Sequence, residues 1–382
     1  MRRIFAGSTL LIALVACETH PQPEVVRTEP AQPSATIAPS LPSASASGAS
    51  GAPAFAAQKI TAEERAMGTH LAFAAFTSER VDEAKIRAAF NDAIAEIRRL
   101  EALMTTWHPS DVTRINDAAG KNPVVVDRET YDIVAEALHA SEMSKGAFDI
   151  TFESLHGLWK FDEDLDPHPP SAAAVRAKLP LVDYHHVKLD AAAHSVFLDK
   201  IGVRIGLGGI AKGYAVDRAA AVLDKAGIAS FFVQAGGDLF TRGKKPNGDE
   251  WQTGIRDPRS DDAKKFFALL PVSDHAFSTA GDYERSYVID GKRYHHIIDP
   301  KTGFPATKSR SVTIYAPTAL LADEIDDAVF IMGPKEGLQL VESLDAQKGG
   351  VGAVIVDDKN NLWVSKRLQG KLIVTGVPTD AP

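Results

Sequence analysis

The chain holds a single cysteine in 382 residues, Cys17, so no internal disulfide can staple it. It has no excess of positive charge. With 42 Lys+Arg against 50 Asp+Glu the formal net charge is −8, which argues against the broad basic footprint of a nucleic-acid surface. It also lacks an apolar run long enough to cross a bilayer; the one stretch that approaches this, at the extreme N-terminus, is too short. What it has in quantity is apolar content, 45%, ample for the core of one large domain or two smaller ones.

The N-terminus reads as an export signal: Arg2 and Arg3, then the apolar stretch Ile4 to Val15, then small residues. Leu14-Val15-Ala16-Cys17 resembles a bacterial lipobox, in which the cysteine is lipidated and becomes the mature N-terminus. The alternative is a plain signal peptide carrying a chance cysteine, but the chain's sole cysteine falling at this position favours a lipoprotein. Residues 1–17 are then the signal, and the membrane contact is a lipid anchor on Cys17, not a spanning helix. The expected product is an exported bacterial lipoprotein facing the periplasm, with the inner membrane as the anchoring surface. Residues 18–58 contain seven of the chain's 22 prolines, many Ala and Ser, and one aromatic, Phe55. Such a segment cannot bury enough apolar surface to offset its ordering entropy. It reads as a disordered tether to a folded domain over residues 59–382.

Within that domain, Met67-Gly68-Thr69-His70 with Leu71 to Phe76 reads as an opening strand. Apolar residues Ile86, Phe90, Ile94, Ile97, Leu100 and Met104 predict an amphipathic helix over 82–104. Trp107 to Asp111 breaks it. Asp127 can cap a second helix to about residue 145, with Gly146 as terminator. Residues 162–183, acidic and proline-rich, read as an exposed connection. A strand is expected to end in the glycines of Gly206-Leu207-Gly208-Gly209 and to give way to a helix reaching Ala226, stopped by Gly227. Gly208 and Gly209 permit close backbone approach, and free N–H groups at a helix start suit a phosphate, with Lys212 adding charge. The spacing is not that of a P-loop. Ile228 to Ala235 reads as a buried strand entering Gly236-Gly237-Asp238, where backbone donors or a simple tight turn are both possible. Ser311 to Ala316 reads as a strand, Thr318 as the cap of a helix over 319–332, and Val351–Val356 with Leu362–Ser365 as a closing hairpin.

Two stretches carry chemistry on their own residues. Asp290-Gly291, between two alternating runs, is a hairpin signal, because a type I′ turn needs positive φ at both central residues. That register pairs Ile289 with Lys292 and sets Arg285 opposite His296. A guanidinium beside the imidazole lowers its proton affinity, leaving a neutral base at pH 7; the plainer alternative is a hydrogen-bonded strand histidine. On the late helix, Asp323 and Asp327 stand four apart, with Asp326 three from Asp323. Like charges so placed repel, and a divalent cation would turn the repulsion into binding, hard oxygen ligands favouring Mg²⁺ or Ca²⁺. The alternative is a solvated acidic face.

Gly281-Asp282-Tyr283-Glu284-Arg285 and Gly291 to Gly303, with His295-His296-Ile297-Ile298-Asp299-Pro300-Lys301-Thr302-Gly303 at its end, resemble the ApbE family of FAD:protein FMN transferases. So, in the family's order, do Met67-Gly68-Thr69, Val112 to Asn116, Gly146-Ala147-Phe148-Asp149-Ile150-Thr151, Gly206 to Arg218, Gly236-Gly237-Asp238 and the aspartate helix. The resemblance implies an α+β fold, T-fold-like, in which mixed sheets pack with helices and FAD lies in a cleft between layers. It implies flavin-nucleotide contacts from Met67, Gly68, Thr69, Asn116, Asp149, Thr151, Gly208, Gly209, Gly236, Gly237, Asp238, Thr279, Gly281 and Arg285. It implies Mg²⁺ held by Asp323, Asp327 and the backbone oxygen of Ala211. The implied reaction moves FMN from FAD to a Thr or Ser hydroxyl of an exported protein carrying an Asp-x-x-Thr/Ser-Gly-Ala-Thr/Ser pattern, and AMP leaves. His296 is the implied base, Lys212 stabilises phosphate charge, and Asp299 orients a neighbouring group.

The chain departs from that pattern at Gly206, commonly Asp, and at Asp327, commonly Thr. Both departures keep two rivals open. One is a pyrophosphatase that splits FAD to FMN and AMP, and the other is a non-catalytic FAD-binding lipoprotein.

Overall fold

The computed structural model describes residues 55–161, 165–262 and 264–381, together with a two-residue strand at Val26–Arg27. The expected signal peptide, Cys17 and most of the 18–58 tether lie outside the described residues. Among those described, no helix is long and apolar enough to cross a membrane.

An eight-stranded sheet organises the domain. Its order in space is Leu362–Val364, Gly352–Asp357, Ser309–Ala316, His275–Gly281, Asp238–Arg242, Phe231–Ala235, Thr69–Phe76, Lys59–Ala66. Every ladder in it is antiparallel, so the α+β expectation holds while the sheet is not of mixed direction. Its central strand Phe231–Ala235 is buried at all five positions. The reason is that both faces are covered. On one side lie the helices Glu83–Met104, Ala211–Lys225 and Ala319–Met332, whose apolar stripes join a single large core. On the other, a small sheet built from Trp251–Arg256, Phe266–Val272 and Ile373–Val374 closes over Phe232, Leu239, Phe277 and Tyr315.

Capping sets the helix starts where the sequence placed them. Asp82 accepts from the Lys85 N–H, Asp127 from Glu129 and Thr318 from Leu321. The last of these helices has a second cap, because Asp217 accepts from the Ala319 and Leu320 N–H groups at 2.8 and 2.9 Å. Burial pushes the Asp217 carboxyl up to about 6 even against those two donors.

Several expectations are corrected. Met67 and Gly68, at φ 52° and 67°, are the turn of a hairpin. The opening strand thus begins at Thr69, and an unforeseen strand, Lys59–Ala66, pairs with it. Val112 to Asn116 lies in a short helix, Asp111–Asp117, with a capping box at Ser110 and Thr113. The 162–183 connection contains the helix Ala172–Lys178, started by Ser171. No strand leads into Gly206: among the described residues Val203 to Leu207 joins no ladder, and its backbone is held instead by Asn116 and Ile150. Finally, Pro334–Lys348 forms a helix that the apolar periodicity had not revealed.

Candidate active site

The hairpin forms in the register read from Asp290-Gly291. Ile289 pairs with Lys292, Tyr287 with Tyr294 and Ser286 with His295, and Asp290 and Gly291 take φ of 50° and 75°. One pair further, the His296 N–H donates to the Arg285 carbonyl at 3.1 Å. The His296 imidazole is held well below its ordinary 6.5, first by burial and then by the positive charges of Arg285 and Lys212, with His295 adding to the effect. Its Nδ1 is buried and makes no hydrogen bond among the described residues. The plainer reading, a hydrogen-bonded strand histidine, fits its neighbour: His295 is buried and its Nε2 meets the Ala306 carbonyl at 2.8 Å.

The acidic helix is not a solvated face. Asp323 and Asp326 are buried, and with Asp238 from the sheet they bring carboxylate oxygens within 4.8 Å of one another. Ser278 Oγ lies 2.7 Å from Asp238 Oδ1 and 2.6 Å from Asp326 Oδ2. A hydroxyl has one proton to donate, so both contacts are hydrogen bonds only if one of the two carboxyls is protonated. The charge balance agrees. Burial and the neighbouring Asp323 push Asp238 up to about 7, against the pull of Lys212. Burial and the charges of Asp327, Asp323 and Asp238 push Asp326 well above the carboxylate range. Lys212 Nζ lies 3.1 Å from Asp323 Oδ1 and 3.2 Å from Asp238 Oδ2. Burial works against its charge, but these carboxylates outweigh it and raise its pKa. The Gly213 N–H, at the start of the same helix, donates to Asp323 Oδ2 at 2.8 Å.

Asp327, outside the three-carboxylate group, reaches toward Gly209. Its Oδ2 would sit 3.2 Å from a Cβ on Gly209, so the glycine gives it room. Burial raises it to about 6, with Lys212 and Arg285 opposing. Ala211 opens the helix one residue before Lys212. Of the expected metal residues, Asp323 belongs to the three-carboxylate group and Asp327 borders it. Asp238, expected as a flavin contact, and Asp326, read in the sequence as the third carboxylate of the acidic helix but not among the implied ligands, complete the group.

The other expected residues divide by what they touch. Gly236 and Gly237 form a two-residue turn, Ala235 pairing with Asp238 across it. Here glycine is required, because a Cβ on Gly236 would lie 2.7 Å from Thr69 Oγ1 and one on Gly237 would lie 2.8 Å from the Thr279 carbonyl. That contact brings Thr69, the glycine turn and Thr279 together, and Thr279 Oγ1 meets Thr313 Oγ1 at 2.9 Å. Gly208 faces open space. Met67 and Gly68 stand at the hairpin turn, where the Met67 N–H donates to Glu101. Gly281 closely approaches the Tyr283 ring.

Asn116, Asp149 and Thr151 are buried and occupied by the chain itself. Both amide atoms of Asn116 bond the Ile205 backbone, at 2.9 and 2.7 Å. Asp149 accepts from the Thr151 N–H and hydroxyl and from the Tyr184 N–H. Asn116 thereby braces the backbone that leads into the glycine turn, and Asp149 ties Thr151 to Tyr184. Asp299 does the same for its own turn, accepting from the Lys301 N–H at 2.9 Å.

Three features escaped the sequence reading. Asp326 and Ser278 meet only through tertiary structure, although Asp326 was visible as a third carboxylate one turn from Asp323. Glu153 places a carboxylate oxygen 3.2 Å from where a Gly206 side chain would begin, filling with a carboxylate the position where aspartate is common. An aromatic shelf flanks the hairpin: Phe161 stacks on Tyr287 at 5.4 Å, Tyr287 on Tyr294 at 5.5 Å, and Trp159 packs on Phe161, Tyr294 and Phe304.

Buried oxygen donors, repelling one another and compensated by Lys212, suit a hard divalent cation. The raised carboxyls of Asp238 and Asp326 and the ammonium lodged between Asp238 and Asp323 show that the centre is short of positive charge.

The profile of the ApbE family matches residues 67–355. A FAD:protein FMN transferase of Klebsiella pneumoniae is 35% identical over 266 residues, which is 68% of this chain and 76% of that one. The enzyme of the same name from Treponema pallidum is 35% identical over 291 residues, 72% of this chain and 78% of its own. The crystal structure of the ApbE protein of Thermotoga maritima superposes with a TM-score of 0.73 at 34% identity, covering 82% of this chain and 99% of that one. With the hairpin histidine, the glycine-led helix and the aspartate helix all falling inside the matched span, the chain belongs to the ApbE family.

Proposed function

We propose that this chain transfers the FMN moiety of FAD to a Thr or Ser hydroxyl of exported acceptor proteins, releasing AMP. The observation that carries it is a neutral, half-buried imidazole, His296, whose Nδ1 is buried without a hydrogen bond among the described residues, in the same electrostatic field as Lys212 and the Asp238–Asp323–Asp326 centre. Phosphoryl transfer asks for that pairing: a base for the attacking hydroxyl and a positive clamp for phosphate charge. In the step, the acceptor oxygen forms a bond to the FMN-side phosphorus, the bond from that phosphorus to the AMP oxygen breaks, and the hydroxyl proton passes to His296. The glycine turns at Gly208-Gly209 and Gly236-Gly237 present backbone to the nucleotide, and Lys212 supplies fixed positive charge.

Asp238, Asp323 and Asp326 would hold Mg²⁺, with Asp327 at its border. When bound, the ion neutralises charge on the pyrophosphate. Acceptors are membrane redox-complex subunits with the Asp-x-x-Thr/Ser-Gly-Ala-Thr/Ser pattern, and the enzyme is held at the periplasmic face of the inner membrane by a lipid on Cys17.

The test is in-gel flavin fluorescence with the full chain, FAD, Mg²⁺ and a small acceptor domain bearing the pattern. A fluorescent acceptor band that disappears with EDTA is expected. AMP and free FMN without a labelled acceptor would replace the transferase with a pyrophosphatase, and intact bound FAD would leave a carrier. Labelled palmitate incorporated by the parent and not by Cys17→Ser checks the anchor.

A further inference from the structure

The first strand of the hairpin that carries His296 has two edges, and among the described residues 55–381 only one of them pairs with another strand. Ser286–Ile289 pairs with Lys292–His295 on its inner edge. In a hairpin closed by two residues, the pair flanking the turn exchanges both hydrogen bonds, and successive residues then point alternately toward and away from the partner strand. The His296-to-Arg285 hydrogen bond fixes the phase: Arg285, Tyr287 and Ile289 turn their backbone groups inward. Those of Val288 therefore face outward. On that outer edge lies Val26–Arg27, antiparallel, with Val26 opposite Val288 and Arg27 opposite Tyr287. A short segment from far upstream of the domain's first long strand thus completes the hairpin's outer ladder.

We propose that the outer edge of Ser286–Ile289 is a strand-accepting site for the extended segment of the acceptor polypeptide, and that Val26–Arg27 occupies it as an intramolecular competitor. The inference rests on the flavin-transfer reading. Strand addition binds through main-chain hydrogen bonds and tolerates varied sequence, which suits an enzyme that must modify a hydroxyl on another protein. Continued in the same register, the added strand sets a residue opposite Arg285. Its side chain stands on the face shared by Arg285, Tyr287, Tyr294 and His296, because side chains alternate along a strand. Two strand spacings separate that residue from His296, about 10 Å between Cα atoms. That is beyond the roughly 3 Å reach of a base, so the paired strand aligns the acceptor on the face of the base and the modified Thr or Ser lies in the residues that follow it. The pairing between Val26–Arg27 and the hairpin is only two residues long, so an acceptor able to pair over more of the edge can displace it.

The experiment uses the full chain. In one variant Val26→Pro and Arg27→Pro remove the competing strand's N–H groups. In another, Val288→Pro removes the outward N–H at the edge without touching an inward bond, a placement proline tolerates on an edge strand. The acceptor KM should fall about tenfold in the first and rise about tenfold in the second, the worth of one or two backbone hydrogen bonds, while the KM for FAD stays put. A synthetic peptide of residues 20–34 should inhibit the first variant competitively against acceptor and not against FAD. Amide exchange at Val288, the outward N–H, is read in parallel: slow in the parent, fast in the first variant, and slow again when acceptor is added, while the inward amides of Tyr287 and Ile289 stay protected in all three. An acceptor KM indifferent to both variants, or exchange that acceptor does not slow, overturns the proposal. A parent that labels no acceptor sinks the flavin-transfer reading, and the exchange measurement still decides strand addition.

Discussion

Arg285 and His296 face each other across the hairpin, joined by the His296 N–H donating to the Arg285 carbonyl at 3.1 Å. The pairing puts a fixed positive charge beside a half-buried imidazole whose pKa lies well below 6.5. A base works in its neutral form, so the rate of transfer should be level through neutral pH and fall only on the acid side, well under 6.5. Arg285→Gln removes a charge that opposes protonation; the acid limb should therefore move to higher pH, measured as kcat/KM for acceptor at saturating FAD. His296→Ala should retain FAD and lose about 10²- to 10⁴-fold in transfer. A profile that does not move in Arg285→Gln, or full activity in His296→Ala, would remove His296 from the base role.

Lys212 is the cation of the acidic centre, 3.1 Å from Asp323 and 3.2 Å from Asp238. Its replacement by methionine leaves buried carboxylates uncompensated, a loss on the order of 3 kcal/mol. Melting in EDTA should show that loss, and Mg²⁺ should restore more stability to Lys212→Met than to the parent, because the ion then supplies the missing charge. Equal stabilisation of both proteins by Mg²⁺ would mean that the ion binds elsewhere.

Asp326 and Asp238 share the hydroxyl of Ser278, and both hold protons more tightly than a free carboxyl. For such a group the folded form binds the proton at a pH where the unfolded chain has released it. Stability is then greatest below the unfolded value, near 4, and declines as pH rises through about 7, the folded value of Asp238. The melting temperature in EDTA should accordingly fall between pH 5 and pH 8. Asp326→Asn keeps the shape, removes one repelling charge and should flatten that decline while weakening Mg²⁺ binding about 10- to 100-fold. Calorimetric titration of Mg²⁺ beside the melts separates the two effects, and an unchanged Mg²⁺ affinity would exclude Asp326 from the site.

Local chemistry was the legible part of this chain. Asp290-Gly291 demands positive φ, and that demand alone fixed the hairpin register down to Arg285 and His296. Asp127 and Thr318 announce helix starts because a side-chain oxygen before an apolar stripe has a free N–H to satisfy. What the sequence left hidden is tertiary. Asp238 and Asp326 lie far apart in the chain and meet only because the sheet sets Asp238 and Ser278 beneath the late helix. Glu153 stands at Gly206 for the same reason. Pro334–Lys348 was missed because only Gly337, Val341 and Leu344 are buried on it, too sparse a stripe to announce a helix. Asn116 and Asp149 sit where a nucleotide contact was expected, yet their hydrogen bonds go to the protein's own backbone, a choice no motif records.

Gly213 is where the two functional helices touch. A Cβ there would stand 2.3 Å from the Ala319 carbonyl oxygen and 2.7 Å from Asp323 Cβ. Alanine is the better helix former by about 1 kcal/mol, but the obstacle is the first turn of the neighbouring helix and cannot swing aside like a side chain. Overpacking of that kind costs about 1–3 kcal/mol or more, so Gly213→Ala should be net destabilising. It should also loosen the Gly213 N–H bond to Asp323 Oδ2, now 2.8 Å, and so displace a carboxylate of the acidic centre. A lowered melting temperature together with weaker Mg²⁺ binding is expected. Gly376→Ala, where the added methyl meets nothing within 4 Å, serves as the control and should melt with the parent. If Gly213→Ala melts with the control, the helices have room to separate, and close approach at Gly213 is not what places Asp323.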